Sequence, residues 1–258
     1  MHLLKICVAI ASLATSAHTW ASECNLKYWT TFKGTEIFRI GDGPGYAYIT
    51  THTAIDADGA PNAYHPDDTG LDKLANAGYP KTTWWKTVLA ADPLAPTRPY
   101  VQNGGTYKGY FVSKTSLSDV SKSQTDPSRY VDASTVPYMV LPQQWYPVKG
   151  SGHMGDLAAA KAVNSQAWTP AILADTGGGE DAKLGEASIE LFKRLGDPAP
   201  SPRSGLSITL GPVLYMVFPG SRSTPAWPAS AETIKASVDT LIAKAGGWPA
   251  PSCFNRNK

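Results

Sequence analysis

The chain is poor in the residues that build metal centres: three cysteines and five histidines among 258 residues. Cys24 and Cys253 stand far apart, and His52, His65 and His153 are scattered. This spacing argues against a structural zinc cluster. Charge is scarce as well. Charged side chains make up 17%, the formal net charge is +2, and no block of like charges occurs. That excludes the basic patch or strongly basic domain by which proteins bind nucleic acid. No apolar run reaches the ~20 residues of a membrane-spanning helix. Several catalytic signatures are missing too. There is no G-x-S-x-G nucleophile elbow and no H-E-x-x-H pair. Ser151 in Gly-Ser-Gly-His153 lacks a strand–turn–helix setting, and Gly41-Asp-Gly-Pro-Gly45 lacks the Gly-Lys-Ser/Thr of a phosphate loop.

What the chain does have is apolar and turn-forming. Hydrophobic residues make up 42%, with Gly 23, Pro 21, Trp 8 and Tyr 12. Such a chain can bury a sizeable core and favours turn-rich structure over a helix bundle. At the N-terminus, Lys5 precedes an apolar run from Ile6 to Ala14, interrupted only by Ser12. Thr19 and Ala21 stand in the −3 and −1 relation of a signal-peptidase site, as do Thr15 and Ala17. Residues 1–21 therefore read as a secretory signal, and Glu23 before Cys24 does not fit a lipoprotein. Cleavage would remove Cys7 and leave Cys24 and Cys253, an even pair that in an exported chain reads as a disulfide.

The remaining residues, 22–258, are expected to form one domain. Short strand-like runs occur at Tyr46–Thr51, Tyr107–Val112, Tyr138–Leu141, Ala171–Ala174 and Val213–Phe218. Leu184, Ala187, Leu191, Phe192 and Leu195 have helical spacing and end at Gly196. A second helix is expected from the N-cap Ser230 through Ile234, Val238, Leu241 and Ile242 to Gly246-Gly247. A short helix is expected within Leu71–Thr87. The fold class is then α+β: a β-rich single domain, a twisted sheet or a β-barrel core, with two or three peripheral helices.

Two acidic segments stand out. Ala171-Ile-Leu-Ala-Asp175 is a buried strand ending in a carboxylate, followed by a Gly loop and then Glu186. The arrangement can point two carboxylates into one cleft, the pair that glycosidic cleavage commonly needs. The same residues also suit a plain turn and a helix N-terminus. The second segment carries Asp56 and Asp58. It matches a calcium loop at these two positions, but has Pro61 where glycine and Asp67 where glutamate are required. A cleft lining for a cationic or hydroxyl-rich ligand and an Asx-turn network are the other readings. Trp84-Trp85 offers a sugar platform or core packing.

Several segments in one order resemble the glycoside hydrolase family 75 chitosanases. They are Asp56-Ala-Asp58-Gly59, Val136–Pro142 ending in Leu-Pro, Gly155-Asp156-Leu157, Ala174-Asp175-Thr-Gly with Leu184-Gly-Glu186-Ala-Ser188, Arg194-Leu195-Gly196 and Tyr215–Ser221. The resemblance spans roughly Thr50 to Gly247. It implies that Asp175 and Glu186 are the two essential carboxylates of an inverting endo-hydrolase. The implied substrate is a β-1,4-linked glucosamine polymer, and no cofactor or metal is implied. Asp56, Asp58, Trp84 and Trp85 become candidate substrate contacts. The enzyme is expected to be a secreted monomer whose partner is the polysaccharide. Leu173-Ala174 before Asp175, the charged loop from Gly178 to Lys183 and the Pro- and Trp-rich stretch from Tyr64 to Asn103 depart from the family pattern. A peptidoglycan- or chitin-directed glycosidase and a non-catalytic carbohydrate-binding protein are the alternatives.

Overall fold

The computed structural model describes residues 24–165 and 167–255. The expected signal, residues 1–21, lies outside them. Eleven strands and three helices are present among the described residues. Nine strands form one mixed sheet. In spatial order they are β1 (Leu26–Phe32), β2 (Thr35–Ile40), β3 (Tyr46–Thr50), β11 (Val213–Phe218), β8 (Leu157–Ala162), β9 (Trp168–Gly177), β7 (Tyr138–Pro142), β10 (Ala187–Ser188) and β4 (Ile55–Asp56). The sheet is open, with β1 and β4 at its edges, so the barrel alternative is not realised. A small hairpin, β5 (Ala91–Asp92) and β6 (Ala95–Pro99), stands apart from it.

The sheet is buried on both faces, which explains why its central strands are almost continuously apolar. Along β11, Leu214 and Met216 face one core while Val213, Tyr215 and Val217 face the other. The first core is covered by helix α3 (Ala231–Lys244) and by the long excursion between β4 and β7, which contributes Ala57, Tyr64, Leu74, Trp85, Phe111, Leu117 and Val131. Helix α1 (Trp85–Val88) lies within this excursion. The second core is covered by α2 (Ile189–Leu195), through Leu191, Phe192 and Leu195, and by Trp145.

Most of the expected elements form, with instructive shifts. Val213–Phe218 is a strand as expected, and α3 is capped by Ser230, whose side chain accepts from Thr233 N. The helix expected from Leu184 starts only at Ile189. Gly185 adopts φ +114°, and a Cβ there would lie 2.0 Å from the His52 carbonyl oxygen. Ala187 and Ser188 then pair with β4, and Ser188 caps α2 by accepting from Leu191 N. Glu186 is therefore not in a helical first turn. Tyr107–Val112 is not a strand but a turn through Gly109 with one isolated bridge, Val101 to Phe111. Of the long strands of the main sheet, three were not foreseen: β1, β2 and β8. The last, Leu157-Ala-Ala-Ala-Lys-Ala, has helical propensity overridden by ladders to β11 and β9 on its two sides. Cys24 and Cys253 form a disulfide with Cα atoms 5.3 Å apart.

Candidate active site

The site lies on the sheet face covered by the excursion, where β9, β7, β10 and β4 run side by side. Along β9 the side chains alternate: Ala171 and Leu173 face the α2 side, and Ile172 and Ala174 face the excursion. Simple alternation would send Asp175 to the α2 side. A bulge prevents it. Met139 of β7 pairs with Leu173, and the next residue, Val140, pairs with Asp175, so that Ala174 is the surplus residue. A bulge of this kind re-aims the side chain that follows it. Asp175 thereby shares the face of its partner Val140, which packs in the excursion-side core.

Glu186 reaches the same face from the next strand. Its carbonyl accepts from Val140 N at 3.0 Å, while its neighbours Leu184 and Ala187 pack on the α2 side. Asp175, Val140 and Glu186 thus form a row across three neighbouring strands. Two interstrand spacings place the outer Cα atoms roughly 9.5 Å apart. Gly177 makes room for the Glu186 carboxyl, because a Cβ there would come within 2.9 Å of Oε2. On β4, Asp56 pairs with Ser188, two residues along from Glu186; its neighbour Ile55 packs on the α2 side, and its own carboxylate meets Tyr138 OH on the excursion side.

The excursion and Tyr138 of β7 supply the polar lining. Tyr138 OH lies 2.9 Å from Asp56 Oδ2 and 2.9 Å from the Asp58 carbonyl oxygen. Asp58 N donates to Asp56 Oδ1 at 2.9 Å. Asp58 Oδ1 accepts from Tyr64 OH at 2.9 Å and from Ser113 Oγ at 3.1 Å. Asp175 Oδ1 accepts from Ser116 Oγ at 2.6 Å, Thr176 N at 2.8 Å and Ser116 N at 3.0 Å. The Glu186 carboxyl accepts no hydrogen bond among the described residues. Carboxylate oxygens of Asp56, Asp58 and Asp175 lie within 4.8 Å of one another, a spacing at which one hard cation could touch all three.

Crowding four carboxylates under a cover raises their pKa values. Burial pushes Asp175 up to about 6, against the opposing hydrogen bonds from Ser116 and Thr176. Burial, then the negative charges of Asp175 and Asp72, push Glu186 up to about 7. Asp56 and Asp58 are held well above the carboxylate range, first by burial and then by their acidic neighbours. Lys114 is the cation whose charge acts on Asp175; its Nζ donates to the Lys86 carbonyl at 2.7 Å. Two carboxyls at about 6 and about 7, side by side, can exist as one base and one acid at the same pH.

The structure brings Asp56, Asp58, Asp175 and Glu186 together but separates the two tryptophans. Trp84 is 47% exposed, whereas Trp85 is 5% exposed and packs edge-on against Tyr79 in the core. Only Trp84 presents a ring to solvent, so the expectation of a two-ring platform fails at Trp85, where packing wins. Asp56, 8% exposed, is sealed beneath Tyr138. Tyr64, Ser113, Ser116 and Tyr138 were missed in the sequence. Serines in a polar loop carry no signal, and the tyrosines read as core filler.

A family model described as fungal chitosanase of glycosyl hydrolase group 75 matches residues 54–246. That span contains all four carboxylates. A search of curated proteins finds no match to the chain. The match covers most of the chain. The protein belongs to the glycosyl hydrolase group 75 chitosanases and is a glycoside hydrolase acting on a polysaccharide.

Proposed function

We propose that this enzyme is exported and cleaves β-1,4 linkages within a glucosamine polymer, with inversion at the anomeric carbon. Glu186 is the acid that protonates the leaving oxygen. Asp175 is the base that takes a proton from the attacking water. The observation that carries this assignment is the unequal solvation of the two carboxyls. Three donors hold Asp175 toward its charged form, whereas Glu186 has no donor among the described residues and the higher pKa, about 7 against about 6. Their placement two strands apart is compatible with the roughly 6.5–9.5 Å carboxyl separation of inverting enzymes.

Asp58, partly exposed, offers a contact to a substrate ammonium group, and Asp56 acts beneath it through its field. Trp84 offers the sugar a flat face. Export is supported by the N-terminal pattern and by the Cys24–Cys253 disulfide, a bond kept in oxidising compartments. No helix among the described residues is long and apolar enough to cross a membrane.

The test is reducing-end release from chitosan, chitin and peptidoglycan by the wild type, Asp175→Asn and Glu186→Gln, with NMR of the first-formed anomer. Chitosan is the expected substrate, the α-anomer the expected first product, and each variant should lose at least about a hundredfold in rate. Full activity of either variant, or a β-anomer formed first, defeats the assignment.

A further inference from the structure

The two oxygens of Asp175 are not equivalent. Oδ1 accepts three hydrogen bonds, while Oδ2 accepts none among the described residues. Two of the three donors come from Ser116, an exposed residue of the covering excursion, and not from the strand that carries the aspartate. Ser116 is itself held firmly. The next residue donates from Leu117 N to the carbonyl of Ala174, the surplus residue of the bulge, at 2.9 Å. The preceding Thr115 donates from Oγ1 to the Leu117 carbonyl at 2.7 Å and accepts from Val131 N at 3.0 Å. The segment is thus docked on the irregularity that aims Asp175.

We propose that Ser116 is a positioning residue for Asp175: its N–H and hydroxyl clamp Oδ1, which leaves Oδ2 to face the attacking water. The clamp also selects a charge state. Ser116 Oγ lies 2.9 Å from Thr176 Oγ1 as well as 2.6 Å from Asp175 Oδ1. When Asp175 is ionised, Thr176 can donate to Ser116 and Ser116 to Asp175, so each bond polarises the next. Such charge-assisted bonds are strong and directional. Removing the hydroxyl takes a donor from the charged form and so raises the pKa of Asp175.

The inference rests on Asp175 being the base. Kinetics on soluble chitosan across pH, for Ser116→Ala, Ser116→Thr and Asp175→Asn, separate the two ideas. For Ser116→Ala, kcat should fall about tenfold to a hundredfold with KM within about twofold. The acid limb of its pH profile should move up by about one unit. Ser116→Thr keeps the hydroxyl and should restore both. Ser116→Ala with wild-type kcat and acid limb, while Asp175→Asn is inactive, overturns the clamp and leaves the base assignment standing. A loss confined to KM, or one that threonine does not restore, overturns the clamp as well. An active Asp175→Asn overturns the base assignment on which the clamp depends.

Discussion

Replacing Glu186 with glutamine should stabilise the fold at alkaline pH while it destroys activity. The carboxyl is largely covered, has no donor among the described residues and sits beside other acids, so its charged form is the costly one. Its pKa is 4.5 in an unperturbed setting and about 7 here. The folded protein therefore binds the proton more tightly than the unfolded chain does. Below pH 4.5 both states carry it and no penalty exists. Between pH 4.5 and about 7 the penalty grows by about 1.4 kcal/mol per unit, and above that it is constant. The shift of about 2.5 units corresponds to about 3 kcal/mol, and solvent reaching this partly exposed group reduces it to about 2 kcal/mol. Glutamine has the same shape and no charge. In a protein of this size the gain corresponds to a rise in Tm of roughly 4–8 °C at pH 8. Thermal unfolding of both proteins followed by circular dichroism from pH 4 to pH 8 is the measurement. The two curves should coincide near pH 4 and separate as pH rises. Equal Tm values at pH 8, or an offset independent of pH, would refute the reasoning, because either removes ionisation as its cause.

Three further outcomes are expected. The pH dependence of kcat/KM should be a narrow bell, since Asp175 must be ionised above about 6 and Glu186 protonated below about 7; a flat profile from pH 5 to pH 8 contradicts the pair. Trp84→Ala should raise KM and leave Tm unchanged, whereas Trp85→Ala should cost about 3–5 kcal/mol in urea unfolding; similar behaviour of the two would contradict their opposite burial. Reducing Cys24–Cys253, which closes a loop of 229 residues, should cost up to about 5 kcal/mol by the chain-entropy account and lower Tm by roughly 10–20 °C; an unchanged Tm under reductant rules the crosslink out as a stabiliser.

The sequence was legible where one force decided the outcome. Val213–Phe218 is apolar throughout and could only be a buried strand, and Ser230 followed by a periodic apolar face could only open a helix. It was opaque where tertiary contacts overruled local preference. The alanine run of β8 is a strand because two neighbours supply ladders, and Ala187–Ser188 is drawn into the sheet because Gly185 passes against His52. The site divides in the same way. Asp175, Glu186, Asp56 and Asp58 were visible as acids near glycines, and the structure gathers all four. Ser116 and Tyr138 became visible only once a distant segment folded over the sheet.

The bulge at Ala174 turns the aim of Asp175 into a matter of parity. A strand keeps its two faces only while residues are counted in twos, and β9 breaks the count once. Substitutions of similar size along β9 leave that count alone. Loss of one residue between Trp168 and Ala174 does not. It would remove the surplus residue: the carboxylate would stay on the excursion face, but the bulge on which the Ser116 segment docks would be lost. This strand can therefore vary in composition far more freely than in length, and a single codon deletion there would be costlier than most exchanges of one side chain for another.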